Sequence, residues 1–271
     1  NDIISLWSVF IAAKMMNTLL IFNIRGVKKT TEKYNLKWYP VNFCEKVIFL
    51  SHEMKHNLMQ RWPGPQKYEP LVSYSITKTN NSKIKSLKSN SLVNILIPAV
   101  IRPLKKQLEL LQYLKDNRDK VPEKWHFHFV GDISENDTYC KQCLDIAKSL
   151  SGIVTFHDYQ SNIQDWYKFV NLTLITSERE GLCRGMIESL SNGTPVISFN
   201  VSSAKEILEN RDQPCGIVVE QGDYNQIINQ IKKLVEDKNR YLTYSRNGMD
   251  LSRKLFDKET VVKVYENAYL S

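Results

Sequence analysis

The sequence predicts an α/β protein built on a doubly wound parallel sheet, with a smaller, partial unit of the same kind at its amino terminus. Past residue 90, apolar runs of four to eight residues, rich in Val, Ile and Phe, recur along the chain. Runs with no alternating polar face are strands buried on both sides, as in a parallel sheet. Between them lie stretches of helical periodicity, and alternation of strand and helix is how such sheets are connected and covered. Residues 77–91 are polar, basic and poor in large apolar side chains, which marks a linker between two units.

Residues 1–76 form the partial amino-terminal unit. Here Asp2–Leu6 reads as strand, Ser8–Met16 as helix and Leu19–Asn23 as strand, followed by strand Lys46–Leu50 and helix Glu53–Arg61. The stretch Ile3–Ile24 has about the length of a membrane span. Ser5, Ser8, Lys14, Asn17 and Thr18 interrupt it and no charged region precedes it, so strand–helix–strand is the better parse. In the linker, Lys78, Lys83, Lys85 and Lys88 read as a solvated charge cluster. Residues 92–271 hold the complete unit, with strand candidates Val93–Val100, His126–Val130, Ile153–Phe156, Leu172–Ile175, Pro195–Phe199 and Gly216–Val219. Its helix candidates are Leu104–Asp116, Asp137–Leu150, Ile163–Phe169, Gly185–Ser191, Ala204–Glu209 and Tyr224–Glu236. Helices around Tyr241–Leu255 and Lys258–Leu270 close the chain, and the last is expected to cross back to the amino-terminal unit.

Hydrophobic residues make up 42% and charged residues 24% of the 271, which excludes disordered, collagen-like and disulfide-scaffold chains. The five cysteines (Cys44, Cys140, Cys143, Cys183, Cys215) are odd in number and scattered, which points to a reducing, cytoplasmic compartment. Cys140 and Cys143 form a lone C-x-x-C inside a helix candidate, and His52 and His56 share a helix face. Neither pair has the further ligands that a metal requires. No G-x-G-x-x-G follows a predicted strand, which argues against a nicotinamide-dependent enzyme. The net charge of +8 suits an anionic, membrane-proximal or lipid-linked partner and equally suits solubility alone. Basic residues are not gathered with aromatics, so no nucleic-acid partner is expected. The chain opens on Asn1 rather than Met, and with its short first unit it reads as a trimmed or abbreviated form of a longer protein.

In open α/β sheets, ligands bind beyond the carboxyl ends of the strands. Strand Leu172–Ile175 runs into such a place, Thr176-Ser177-Glu178-Arg179-Glu180-Gly181-Leu182-Cys183-Arg184-Gly185, which opens a helix. A helix start offers unpaired N–H groups and a positive dipole to an anion or a sugar oxygen. Glu180 lies in this loop and Glu188 on the helix beyond, eight residues on and nearly on one face. Two carboxylates there suit a polyhydroxyl ligand. A solvated loop glutamate and a helix glutamate meeting the dipole fit the same spacing.

These residues also carry a resemblance. Ser177-x-x-Glu180-Gly181, then Glu188 after seven intervening residues, then Ser189-x-x-Asn192-Gly193-Thr194-Pro195-Val196-Ile197 is similar to the donor-site signature of a large family of retaining glycosyltransferases. Phe129-Val130-Gly131-Asp132, Ser203-Ala204-Lys205-Glu206-Ile207 and Cys215-Gly216-Ile217-Val218-Val219 resemble further elements of that family, and the likeness runs through most of residues 91–271. It implies the GT-B fold, two facing Rossmann-like domains, here a full carboxyl-terminal donor domain and a partial amino-terminal one on the acceptor side. A UDP- or GDP-sugar donor is implied, with no cofactor and no required metal, and a glycan, lipid-linked or protein acceptor. A place on the cytoplasmic face of a membrane fits such an acceptor.

The resemblance also assigns roles. Glu180 would hydrogen-bond the donor sugar, helped by Ser177, and Glu188 would hold the ribose. Backbone N–H groups of Gly181, Leu182 and Cys183 would meet sugar and diphosphate. Arg102 with Lys105 or Lys106 would clamp the diphosphate, since a leaving nucleoside diphosphate needs its charge neutralised. His157, with Asp158, would lie near the base. Arg184 stands where the family has a neutral residue, within reach of phosphate or acceptor. Arg25-Gly26 stands where a His-Gly is frequent, and the family's glycine-rich amino-terminal loop has no counterpart. A non-catalytic nucleotide-sugar-binding module is the alternative function.

Overall fold

The computed structural model describes residues 3–26, 36–61, 66–78, 84–87, 91–134, 136–209 and 212–270. Its amino-terminal part runs α1 (Ile3–Met15), β1 (Ile21–Ile24), a 3₁₀ segment (Leu36–Phe43), β2 (Lys46–Phe49), α2 (His52–Arg61) and β3 (Glu69–Val72). The three strands pair in parallel in the order β1-β2-β3. The strand expected at Asp2–Leu6 is not formed: from Ile3 onward those residues are the first turns of α1, and Asp2 lies outside the described residues. The cause is that α1 is apolar on every side, which hides the 3.6-residue period that distinguishes a helix from a strand. Trp7, Val9 and Ile11 stand exposed, while the Phe10 ring meets Phe43 at 5.4 Å. Strand β3 escapes sequence reading because it contains Pro70; at the sheet edge the missing N–H costs no ladder bond.

The larger sheet comprises β4 (Val93–Pro98), β5 (Trp125–Val130), β6 (Val154–His157), β7 (Leu172–Ile175), β8 (Val196–Phe199) and β9 (Gly216–Val219). All pairs are parallel, in the order β6-β5-β4-β7-β8-β9. The winding reverses between β4 and β7, so the crevice for a ligand opens at their carboxyl ends. Helices α3 (Gln107–Asp116), α4 (Thr138–Lys148), α5 (Ile163–Phe169), α6 (Arg184–Ser191), α7 (Ala204–Leu208), α8 (Tyr224–Glu236), α9 (Lys238–Leu255) and α10 (Lys258–Leu270) follow. Four begin on aspartates whose carboxylates take an N–H of the first turn: Asp137 from Cys140, Asp223 from Gln226, Asp237 from Arg240 and Asp257 from Glu259. The helix expected over Leu104–Asp116 is divided. Pro103–Lys105 forms a 3₁₀ turn, and Lys106, left-handed at φ 57°, breaks it from α3.

Trp125, Phe127 and Phe129 on β5 are buried in a core shared with α3, α4 and α8. Both thiols of the C-x-x-C, Cys140 and Cys143, are buried in that core. A second apolar cluster joins the two sheets, running from Val47, Phe49 and Met54 to Met186, Ile207 and Phe256. Helix α10 packs back on the small sheet, where the Asn23 amide donates to Tyr265 Oη at 2.7 Å and Lys46 Nζ to the Asn267 carbonyl at 3.3 Å. The linker lysines are not uniformly solvated. Lys78 is exposed, Lys83 and Lys88 lie outside the described residues, and Lys85 is half-buried. Its ammonium donates to the Tyr167 and Val170 carbonyls where α5 ends, which turns a linker cation into a helix C-terminal cap. No helix among the described residues is long and apolar enough to cross a membrane.

Candidate functional site

A cavity of about 280 Å³ lies at the reversal of the large sheet. Its walls are Pro98 and Ala99 at the end of β4, Lys105 in the 3₁₀ turn, Thr176, Ser177 and Glu180 after β7, and residues 182–185 where α6 begins. Glycine permits two of the approaches that shape it. A Cβ on Gly185 would stand 2.9 Å from Pro98 Cγ, and one on Gly181 would collide with the Arg25 carbonyl. That second contact brings the Arg25–Gly26 turn, at the carboxyl end of β1, onto the loop that carries Glu180.

Glu180 and Lys105 form the charged centre. Their ion pair is 2.5 Å long, with side chains only 15% and 21% exposed, and Ser177 Oγ donates to the same carboxylate oxygen at 2.6 Å. The 3₁₀ turn is tied to the loop by Thr176 Oγ1 donating to the Lys105 carbonyl (2.8 Å) and the Glu178 N–H donating to the Leu104 carbonyl (2.9 Å). Buried Gln107 braces the turn from behind, donating to the Val100 carbonyl at 2.9 Å. The break at Lys106 separates the two lysines. Lys105 faces the cavity, whereas Lys106 pairs with Glu109 at 2.9 Å and Glu178 at 3.4 Å outside it. Its ammonium pKa is raised, first by the hydrogen bond it donates to Glu109. Arg102 is exposed at the start of the turn and is not part of the cavity wall.

Glu188 lies one step further along α6, outside the cavity wall. Arg184 Nη2 pairs with it at 3.0 Å and Tyr167 Oη donates to it at 3.3 Å. Burial, and then Glu188, pushes the Tyr167 phenol well above its ordinary pKa, so it stays a donor. The two carboxylates therefore meet different cations, Lys105 and Arg184. Burial likewise pushes the Cys183 thiol up to about 12, which removes it as a nucleophile. The N–H groups of Gly181, Leu182 and Cys183 donate to no backbone acceptor among the described residues, leaving them for a ligand's oxygens.

His157 sits elsewhere, in a stack of rings at the end of β6. Its Nε2 is 3.2 Å from His128 Nδ1, and its ring centroid is 4.4 Å from that of Trp166. His126 stacks next, 4.5 Å from His128, and His128 Nε2 meets Asn94 Oδ1 at 3.0 Å. Sequence reasoning missed this stack, although His126 and His128 alternate on one face of a predicted strand. It also missed Pro98, Ala99, Thr176 and the approach of Arg25, for which position at the carboxyl end of a strand was the available signal.

The model of the family "Glycosyl transferases group 1" matches residues 78–250. The capsular polysaccharide biosynthesis glycosyltransferase CapM of Staphylococcus aureus is 29% identical over 268 residues, 92% of this chain and 69% of that protein. An uncharacterized glycosyltransferase of Haemophilus influenzae is 23% identical over 235 residues, 85% of this chain and 62% of that protein. The chain thus spans only part of the length of these relatives. Among solved structures, Anabaena HepE in complex with UDP has a TM-score of 0.81 at 19% identity, covering 99% of this chain and 76% of that one. Sucrose-phosphate synthase of Thermosynechococcus elongatus has a TM-score of 0.80 at 15% identity, covering 98% and 71%. The two parallel sheets facing across one crevice are the GT-B fold, and the chain belongs to the group 1 family of glycosyl transferases.

Proposed function

We propose that this protein transfers a hexose from a nucleoside-diphosphate sugar to a glycan, lipid-linked or protein acceptor, with retention of anomeric configuration and without a metal. The observation that carries the reading is the Lys105–Glu180–Ser177 constellation in the cavity at the sheet reversal. Glu180, held by Lys105 and Ser177, would accept bonds from sugar hydroxyls. At about 280 Å³ the cavity is at the small end for a ligand, enough for the sugar and its nearest phosphate. The nucleoside would then extend along α6 to Glu188, which would take the ribose. The acceptor would come from the side of Arg25–Gly26. Related proteins named for capsule and lipopolysaccharide synthesis support an acceptor of the glycan class.

The chemistry is a same-face displacement. The acceptor oxygen bonds to the anomeric carbon as the bond from that carbon to the diphosphate oxygen breaks. The acceptor proton passes to the leaving phosphate. Lys105, with Arg102 and the free N–H groups before α6, would neutralise the growing charge, which supports a transfer that needs no metal. Calorimetric titration with UDP and GDP tests the reading, and binding of neither would refute it. A nucleotide at 100 times its Kd should stabilise the fold by ~2.7 kcal/mol. Lys105→Ala should lower kcat by about 10²–10³-fold. Product anomers read by NMR, with and without EDTA, test retention and metal-independence.

A further inference from the structure

We propose that Glu206 and Glu53 are positioning residues: a crossed pair of carboxylate caps that locks the small sheet onto the donor loop and so sets the width of the cleft. The inference rests on the cleft being the reaction site. A helix start has four N–H groups without an intrahelical partner, and in α2 three of them find acceptors outside the helix ladder. The Met54 N–H donates to Ser51 Oγ at 3.0 Å, within the amino-terminal unit. The other two cross to the large sheet. The His52 N–H donates to Glu206 Oε1 at 3.1 Å and the Glu53 N–H to Glu206 Oε2 at 2.7 Å.

The exchange is reciprocal. Glu53 Oε2 accepts the Ser203 N–H at 3.0 Å, at the residue that opens α7, and Ser203 is held left-handed at φ 70°. Tyr74 Oη, just past β3, donates to Glu206 Oε1, and its ring packs edge-on against Phe256 at 5.5 Å between centroids. Each unit thus finishes a helix start in the other. A carboxylate at a helix start is stabilised by the dipole and loses that bonding steeply as the start moves away. A rotation opening the cleft would strand two N–H groups of α2 and the N–H of Ser203 together, which makes the contact a latch rather than a sliding surface. Shut, it keeps the Arg25–Gly26 turn against Gly181, beside the carboxylate of Glu180. Neither Glu206 nor Glu53 is part of the cavity wall, so their effect on transfer would come through placement alone.

Glu206→Gln tests this, because the amide keeps the shape while removing the charge and one acceptor. Spin labels on Asn57→Cys in α2 and Lys115→Cys in α3, both exposed, report the separation of the units by pulsed electron resonance. The native cysteines are buried and will not compete. The parent should give one narrow distance distribution, and Glu206→Gln a broader one with longer distances. Glu53→Gln and Tyr74→Phe should broaden it less. UDP affinity of the variant should stay within about twofold of the parent, with kcat for transfer falling about tenfold. An unchanged distance distribution in Glu206→Gln overturns the proposal, as does a loss of UDP affinity equal to the loss of kcat. The distance measurement needs no turnover, so failure of the donor-site reading would leave it intact as a separate result.

Discussion

At the scale of single residues, the candidate site pairs Glu180 with Lys105 and Glu188 with Arg184. Glu180 and Lys105 are both largely buried, so removing one leaves the other charged and unpartnered. Glu180→Gln should therefore cost more transfer activity than an exposed change such as Glu178→Gln, by about 10²-fold in kcat/KM; equal effects would deny Glu180 its role. The histidine stack makes a different prediction. Burial, with His126 and His157 beside it, holds the His128 imidazole down to about 4. The unfolded chain binds that proton near pH ~6.5. Between the two values the unfolded state carries the extra proton, so stability present above pH ~6.5 is lost as the pH falls toward 4. The slope contributed approaches ~1.4 kcal/mol per pH unit. Urea midpoints at about pH 7 and about pH 5 should differ less in His128→Gln than in the parent, and equal differences would remove His128 as the cause. Glu180 was legible from its place past a strand end, whereas Ser177 and Lys105 came from the resemblance alone; the structure brings the three together at one cavity. Choosing between Lys105 and Lys106 was not legible, because it depends on a left-handed φ at Lys106 that a string of letters does not record.

At the scale of elements, the motif Ser189-x-x-Asn192-Gly193-Thr194-Pro195 is a helix stop followed by a strand start. The Thr194 N–H donates to the Ser189 carbonyl and the Gly193 N–H to the Leu190 carbonyl, both at 3.0 Å, the paired bonds that end a helix on a left-handed residue. Gly193 takes φ 66°, and a Cβ there would lie 2.9 Å from Met249 Sδ and Ser245 Oγ of α9. Gly193→Ala should cost ~1–3 kcal/mol, which scanning calorimetry would read as a Tm lower by about 3–8 °C. An unchanged Tm would show that α9 yields at no cost. The large sheet was readable almost strand for strand because all its strands but the edge strand β6 are largely buried on both faces and each connection carries a helix. The small unit was less so. Helix α1 has no polar side to mark its period, and β3 hides behind Pro70.

At the scale of the whole molecule, the apolar cluster shared by the two sheets and the crossed caps predict one cooperative unit. Heating should give a single calorimetric transition, and two resolved transitions would show that the sheets unfold independently. Removing residues 258–270, and with them the Tyr265 and Asn267 contacts, should split or broaden that transition. The return of α10 to the small sheet has a consequence for synthesis. Asn23 and Tyr265 are 242 residues apart in the chain. At ~5–20 residues per second, ~12–50 s pass between the emergence of one and the other from the ribosome. The small sheet is thus finished by a helix made well after it, and a nascent chain holds β1 without that cover for the whole interval.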